Sequence, residues 1–88
     1  MNHRHRKVLH ALFAHPTSSN IHFSDVEHAL KDLGAELDHT SHGRVSVKLQ
    51  GQTTTFHGGN HELSKDEVAH VRNFITSCGI DPQRDYPL

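Results

Sequence analysis

The chain has 88 residues, of which 33% are hydrophobic, with nine lysines and arginines against ten acidic residues and a formal charge of −1. That length holds one domain with a small core, and the near-neutral balance is unlike the strongly basic one usual for nucleic-acid binders. A single cysteine excludes an internal disulfide and points to a reducing compartment, and the short apolar run after Lys7 is too brief for a signal peptide or a membrane span, so the expected location is the cytoplasm. Eleven histidines qualify the charge, because each gains a proton at mildly acid pH or beside a phosphate.

Asn2 to Ala14 is predicted as a first helix. Val8, Leu9, Leu12 and Phe13 form one stripe, and the residue before Pro16 disfavours the helical conformation. Arg4, Arg6 and Lys7 crowd its start, and both a solvated cationic helix start and a phosphate-contacting arm fit them. After a polar loop, Ile21 to Phe23 reads as a short extended connection. Ser24-Asp25-Val26-Glu27 then matches a capping box. Val26, Ala29, Leu30 and Leu33 follow at helical spacing, and Gly34 stands where a left-handed residue ends a helix.

Ala35 to Thr40 alternates as a first strand, with Ala35 and Leu37 inward and His39 a further inward candidate. In Gly43 to His57, Val45, Val47 and Leu49 alternate with Arg44, Ser46 and Lys48, and Thr53 to Phe56 form a second β-rich run. Gln50-Gly51 between them is a candidate two-residue hairpin turn. The register follows: Leu49 faces Gln52, Val47 faces Thr54 and Val45 faces Phe56 on an oily side. Lys48 faces Thr53, Ser46 faces Thr55 and Arg44 faces His57 on a polar one. The oily side needs helices over it; the polar side is open to a ligand.

Ser64-Lys65-Asp66-Glu67 is a second capping box, with Leu63 and Val68 spaced as a hydrophobic staple. Val68, Val71, Ile75 and Cys78 mark a buried face flanked by Phe74, and Gly79 stops the helix. The whole reads as one α+β domain over residues 1–80, ordered α-α-β-β-β-α, with three antiparallel strands and helices on one face. Residues 81–88, with two prolines, read as a tail.

An α-β-β-β-α unit is the plan of double-stranded-RNA-binding domains. Leu33-Gly34-Ala35-Glu36, Gly43-Arg44-Val45-Ser46-Val47, Leu49-Gln50-Gly51, Phe56-His57 and the close at Cys78-Gly79-Ile80 resemble, in order and spacing, the HicA family of type II toxin–antitoxin systems. The cationic opening, Asn2 to Lys7, resembles a longer HicA-like subgroup with an extra N-terminal helix. The resemblance covers about residues 2 to 80. It implies a toxin that cleaves mRNA without a metal or other cofactor, held in check by a separate HicB-type antitoxin. HicA-like toxins carry a Gly-Ser-His run entering the second strand, and that histidine is assigned to catalysis. Here the place reads Ser41-His42-Gly43-Arg44, so Arg44 stands in the histidine's slot and His42 falls two residues earlier.

Alternation along an extended chain would place His42 on the same face as Arg44, across from His57. One imidazole would take the 2′-OH proton and another protonate the 5′-oxygen, while the guanidinium steadies the phosphorane charge. The catalytic candidates are therefore His57, His42 and Arg44; the RNA-binding candidates are Arg44, Lys48, His61, Arg4, Arg6 and Lys7. Two other readings stay open. His39-x2-His42 with His57-x3-His61 supplies four imidazoles for a metal, although structural zinc sites usually include cysteine. The same fold would also serve as a non-catalytic RNA-binding or degenerate interaction domain.

Overall fold

The computed structural model describes residues 1–88. Its order is α1 (His3–Leu12), α2 (Phe23–Asp32), β1 (Glu36–His39), β2 (Arg44–Leu49), β3 (Gln52–His57), α3 (Lys65–Ser77) and a short α4 (Pro82–Asp85). The three strands form one antiparallel sheet in the order β1-β2-β3. This is the α+β layout read from the sequence, with α4 added. No helix is long and apolar enough to cross a membrane.

The hairpin register is the one the alternation dictates. Arg44 opposes His57, Val45 opposes Phe56, Val47 opposes Thr54 and Leu49 opposes Gln52. Gln50 and Gly51 both take positive φ, 52° and 77°, which gives the turn the twist of the strands it joins. Val45, Val47, Leu49 and Phe56 are buried and Arg44, Lys48, Thr53, Thr55 and His57 are exposed, so the sheet has one apolar and one polar face. Val26, Leu30, Leu33, Val68, Val71 and Ile75 join Leu9, Leu12, Phe23 and Phe74 in one core over the apolar face. Burying a side chain of that size contributes about 1.5–3 kcal/mol, and the core holds few of them, so each matters.

Asn2 caps α1 by accepting from the His5 backbone N–H at 2.8 Å. The Asn2 N–H and His5 Nδ1 both reach Asp32 Oδ2, at 3.2 and 2.7 Å, tying the start of α1 to the end of α2. The His5 bond, followed by that backbone N–H, holds Asp32 below the usual carboxylate range. At α3 the expected capping box is present: Glu67 N–H donates to Ser64 Oγ and Ser64 N–H donates to Glu67 Oε1.

Three expectations change. α2 begins at Phe23, not after Ser24, with His22 as a cap that makes no side-chain bond. The cause lies in tertiary pairing: Ile21 and His22 run extended beside Glu62 and Leu63, and the Phe23 N–H donates to His61 C=O at 2.9 Å. That sets Phe23, 1% exposed, into the core, and Ser24 Oγ bonds Asn60 instead of capping. His39 is exposed rather than inward, reaching Glu27 Oε2 at 3.2 Å at the rim of the apolar face. The predicted tail folds: Asp81 caps α4, Pro82 is buried, and His10 Nε2 bonds Tyr86 C=O at 2.8 Å. A proline suits the first helical turn, where its missing N–H has no partner to lose.

Candidate functional site

The polar face of the sheet is divided by charge. β1 contributes Glu36 and Asp38, β2 contributes Arg44, Ser46 and Lys48, and β3 contributes Thr53, Thr55 and His57. Glu36 stands directly opposite Lys48, and Asp38 opposite Ser46. The cation without an acid beside it in register is Arg44, whose neighbour across the hairpin is His57.

Arg44 and His57 meet at the end of the hairpin remote from its turn. The ladder continues one step past them, with the Gly58 N–H donating to Gly43 C=O at 2.7 Å. Hydrogen-bonded and non-hydrogen-bonded pairs alternate in an antiparallel ladder, so Arg44 and His57 are a non-hydrogen-bonded pair, the class in which side chains approach most closely. Gly58 leaves no room for more: a Cβ there would lie 2.7 Å from Val45 Cγ2 and 3.1 Å from Gly43 O. Beside the pair is a shallow depression of about 180 Å³ lined by Arg44, Thr55, Phe56 and His57.

A second cavity, of about 200 Å³, lies between the free edge of β3 and α3. Phe23, Phe56, Leu63 and Val71 supply its apolar lining, with His57, His70 and Glu67 among its polar residues. Thr55, Phe56 and His57 border both depressions. The end of β3 is thus a ridge with a polar hollow on one side and an apolar one on the other. His70 was not among the residues singled out from sequence. Its Nε2 lies 3.1 Å from Thr54 Oγ1, and its ring centroid is 4.5 Å from that of Phe56. The only sequence signal was its place two turns into α3, one residue before buried Val71.

The other candidates are dispersed. β2 starts at Arg44, and Ser41–Gly43 forms a single helical turn in which His42 has φ 69°. The alternation that would carry His42 onto the open face therefore does not reach it; His42 remains at the same end of the hairpin through the Gly43–Gly58 bond. His61 is turned to the helical side, where its ring stacks on Phe23 and its Nε2 donates to Glu67 Oε2 at 2.7 Å. Glu67 thus receives the Ser64 N–H on one oxygen and His61 on the other, and both bonds, the backbone one foremost, lower its pKa.

Arg4, Arg6 and Lys7 lie on α1, which packs on α2, α3 and α4 and so belongs to the helical side, away from the open sheet face. Arg4 pairs with Asp25 at 3.3 Å, while Arg6 Nε is buried without a partner. Lys48 is exposed on the open face beside Glu36. No group of three or more His, Cys, Asp or Glu side chains is gathered so as to hold a metal ion. Of the four imidazoles weighed as ligands, His39 is drawn to Glu27 and His61 to Glu67. The lone thiol of Cys78 is half-buried 3.3 Å from Leu49 C=O, and burial pushes its pKa up, which disfavours a reactive thiolate.

No family model, curated protein or solved structure matches the chain.

Proposed function

We propose that this chain is an RNA-cleaving toxin of the HicA-like kind, acting on mRNA in the cytoplasm and neutralised by a separately encoded HicB-type antitoxin. The observation that carries the reading is the Arg44–His57 pair on the open face of a three-stranded sheet, in a chain whose α2-β1-β2-β3-α3 portion follows the α-β-β-β-α plan of double-stranded-RNA-binding domains. A planar guanidinium binds phosphate through paired N–H groups, and an imidazole changes charge near neutral pH. Together they supply phosphate capture and one proton transfer without a cofactor.

In this scheme Arg44 grips the scissile phosphate and steadies the charge of the phosphorane. His57 removes the 2′-OH proton, so the 2′-oxygen attacks phosphorus and a 2′,3′-cyclic phosphate forms as the 5′-oxygen leaves. His42, on the turn at the same end of the hairpin, is the candidate that returns a proton to that oxygen. Its place off the strand favours one alternative, a domain that binds RNA without cleaving it.

The test is a pair of measurements on the folded chain. Expression in bacteria without the partner slows growth, and cleavage of a labelled single-stranded RNA proceeds in EDTA and yields a cyclic-phosphate end. Growth at the normal rate with abundant folded protein, together with intact RNA, would reject the toxin reading. RNA binding that survives in that protein would leave the non-catalytic one.

A further inference from the structure

The ladder's phase decides where the backbone of β3 points. Gly43 with Gly58 is a hydrogen-bonded pair, so by alternation Val45–Phe56, Val47–Thr54 and Leu49–Gln52 are too. The backbone groups of Thr53, Thr55 and His57 then face away from β2. Nothing pairs with them, because β3 is the last strand of the sheet, and all three residues are exposed. The opposite edge differs. β1 is four residues long with Glu36 and Asp38 among them, whereas β3 has six residues and carries no lysine, proline or acid. Short, charged edges discourage added strands, and β3 lacks those features.

We infer that the edge of β3 is a docking site for an extended segment of a separate protein, which adds as a fourth strand and sets an apolar side chain into the cavity between β3 and α3. Backbone groups of Thr53, Thr55 and His57 hold its main chain. The cavity lined by Phe23, Phe56, Leu63 and Val71 takes the inward side chain. On the open face the added strand lies about 10 Å from β2, two strand spacings away. Arg44 stands opposite His57 and Lys48 opposite Thr53, with Glu36 on the far side of Lys48, so the cations of the face lie one strand in from this edge and the segment's outward residues are acidic. The partner's chemistry is an alternation of apolar and acidic residues, the form in which strand addition obtains affinity from main chain and specificity from alternate side chains.

A second copy of this chain does not meet the requirement. If its own β3 supplied the added strand, the inward residues would be Thr54 and Phe56, and Phe56 is 6% exposed in its own core. It has no side chain free to enter the cavity, and the pairing would bring Arg44, Lys48 and His57 of two copies together. The main chain of the segment uses the backbone of His57, not its imidazole, while its acidic residues face the Arg44 proposed to hold phosphate, so the exchange measurement is made without RNA and reads strand addition independently of cleavage.

The experiment is amide hydrogen exchange on the full chain, read residue by residue by NMR, with and without a peptide of about seven residues alternating glutamate with leucine. The amides of Thr53, Thr55 and His57 exchange quickly in the free chain and slow by about tenfold or more with peptide, while a glutamate–serine peptide has no such effect. Thr55→Pro removes an N–H that serves no bond within the sheet, so the fold persists and the protection is lost. Lys48→Glu leaves the edge intact and weakens the peptide severalfold, so a Pro variant that does not fold leaves the question answerable. Unchanged exchange at saturating peptide overturns the inference. Protection confined to Leu37 and His39 on the other edge, or protection that grows with protein concentration alone, overturns it equally.

Discussion

The imidazole of His61 lies 5.7 Å from the ring of Phe23, with the two planes 9° apart, while its Nε2 touches the Glu67 carboxylate at 2.7 Å. This pairing makes His61 a bracket between the start of α2, the β3–α3 connection and the cap of α3. It is a structural histidine, and its removal acts on stability before it acts on any ligand.

We predict that Ser64→Ala costs about 1 kcal/mol, the usual loss when a helix forfeits its cap. For a domain of this size that lowers the melting temperature by roughly 4–8 °C. His61→Ala adds less than its own separate effect in the double variant, because both act through Glu67. Thermal melts of the two single variants and the double variant check this; strict additivity would show that His61 and the cap are independent.

Acid stability follows from Glu67 and Asp32, whose pKa values both lie below their ordinary ones. A depressed carboxylate stays charged in the folded state where the unfolded chain has taken up a proton. Its contribution is therefore complete above the unfolded values near about 4, and disappears as pH falls through the folded ones. Melting temperature is expected to hold between pH 5 and 7 and to drop below about pH 4, with a shallower drop in Glu67→Gln. Equal acid sensitivity of that variant and the parent chain would remove Glu67 from the explanation.

Gly58→Ala is expected to destabilise by about 1–3 kcal/mol, since its Cβ meets Val45 Cγ2 and the Gly43 carbonyl and something must shift. Because the clash sits next to the Arg44–His57 pair, RNA binding and stability should fall together. Gly79→Ala is the contrast: open space surrounds its Cβ, so only the left-handed backbone, φ 78°, is strained. Comparing melting with RNA affinity for both variants separates a local effect from a global one.

On the proposed mechanism, RNA cleavage should respond unequally to three substitutions. His57→Ala is expected to lower the rate about 10²–10⁴-fold, the range for loss of a general acid or base. Arg44→Lys keeps the charge and loses the planar fork, so it should remain well below the parent rate. His42→Ala should cost as much as His57→Ala if it protonates the leaving oxygen. Single-turnover rates across pH check all three, and full activity without both histidines would dismiss the assignment.

Local pattern made the sheet legible and left the site only half so. The alternation of Val45, Val47 and Leu49 and the two-residue turn at Gln50-Gly51 are local signals, and they predict the pairing of Arg44 with His57 correctly. Ser24 and Glu27 obey the capping-box spacing equally well, yet the bond from Phe23 to His61, 38 positions away in sequence, starts the helix earlier. Spacing alone cannot foresee a bond of that reach. His42 illustrates the other limit: strand alternation holds only as far as the strand, and with the turn at Ser41–Gly43 the strand begins two residues after His42. His70 reaches the site only in three dimensions, because its neighbours Thr54 and Phe56 belong to a different element.

The acids of β1 also have a consequence for ionic strength. With Glu36 beside Lys48, an RNA strand bound as proposed would meet an unopposed cation only at the Arg44 end, enough for about two phosphate contacts at most. For single strands the logarithm of affinity falls by about 0.7 per neutralised phosphate per logarithm of salt. Two contacts therefore lose only about sevenfold when salt rises fourfold, where a broad basic surface loses thousands. If RNA binds this face as proposed, its affinity is expected to tolerate salt, and discrimination among RNAs would come from shape and chemistry at a single phosphate instead of from long-range attraction.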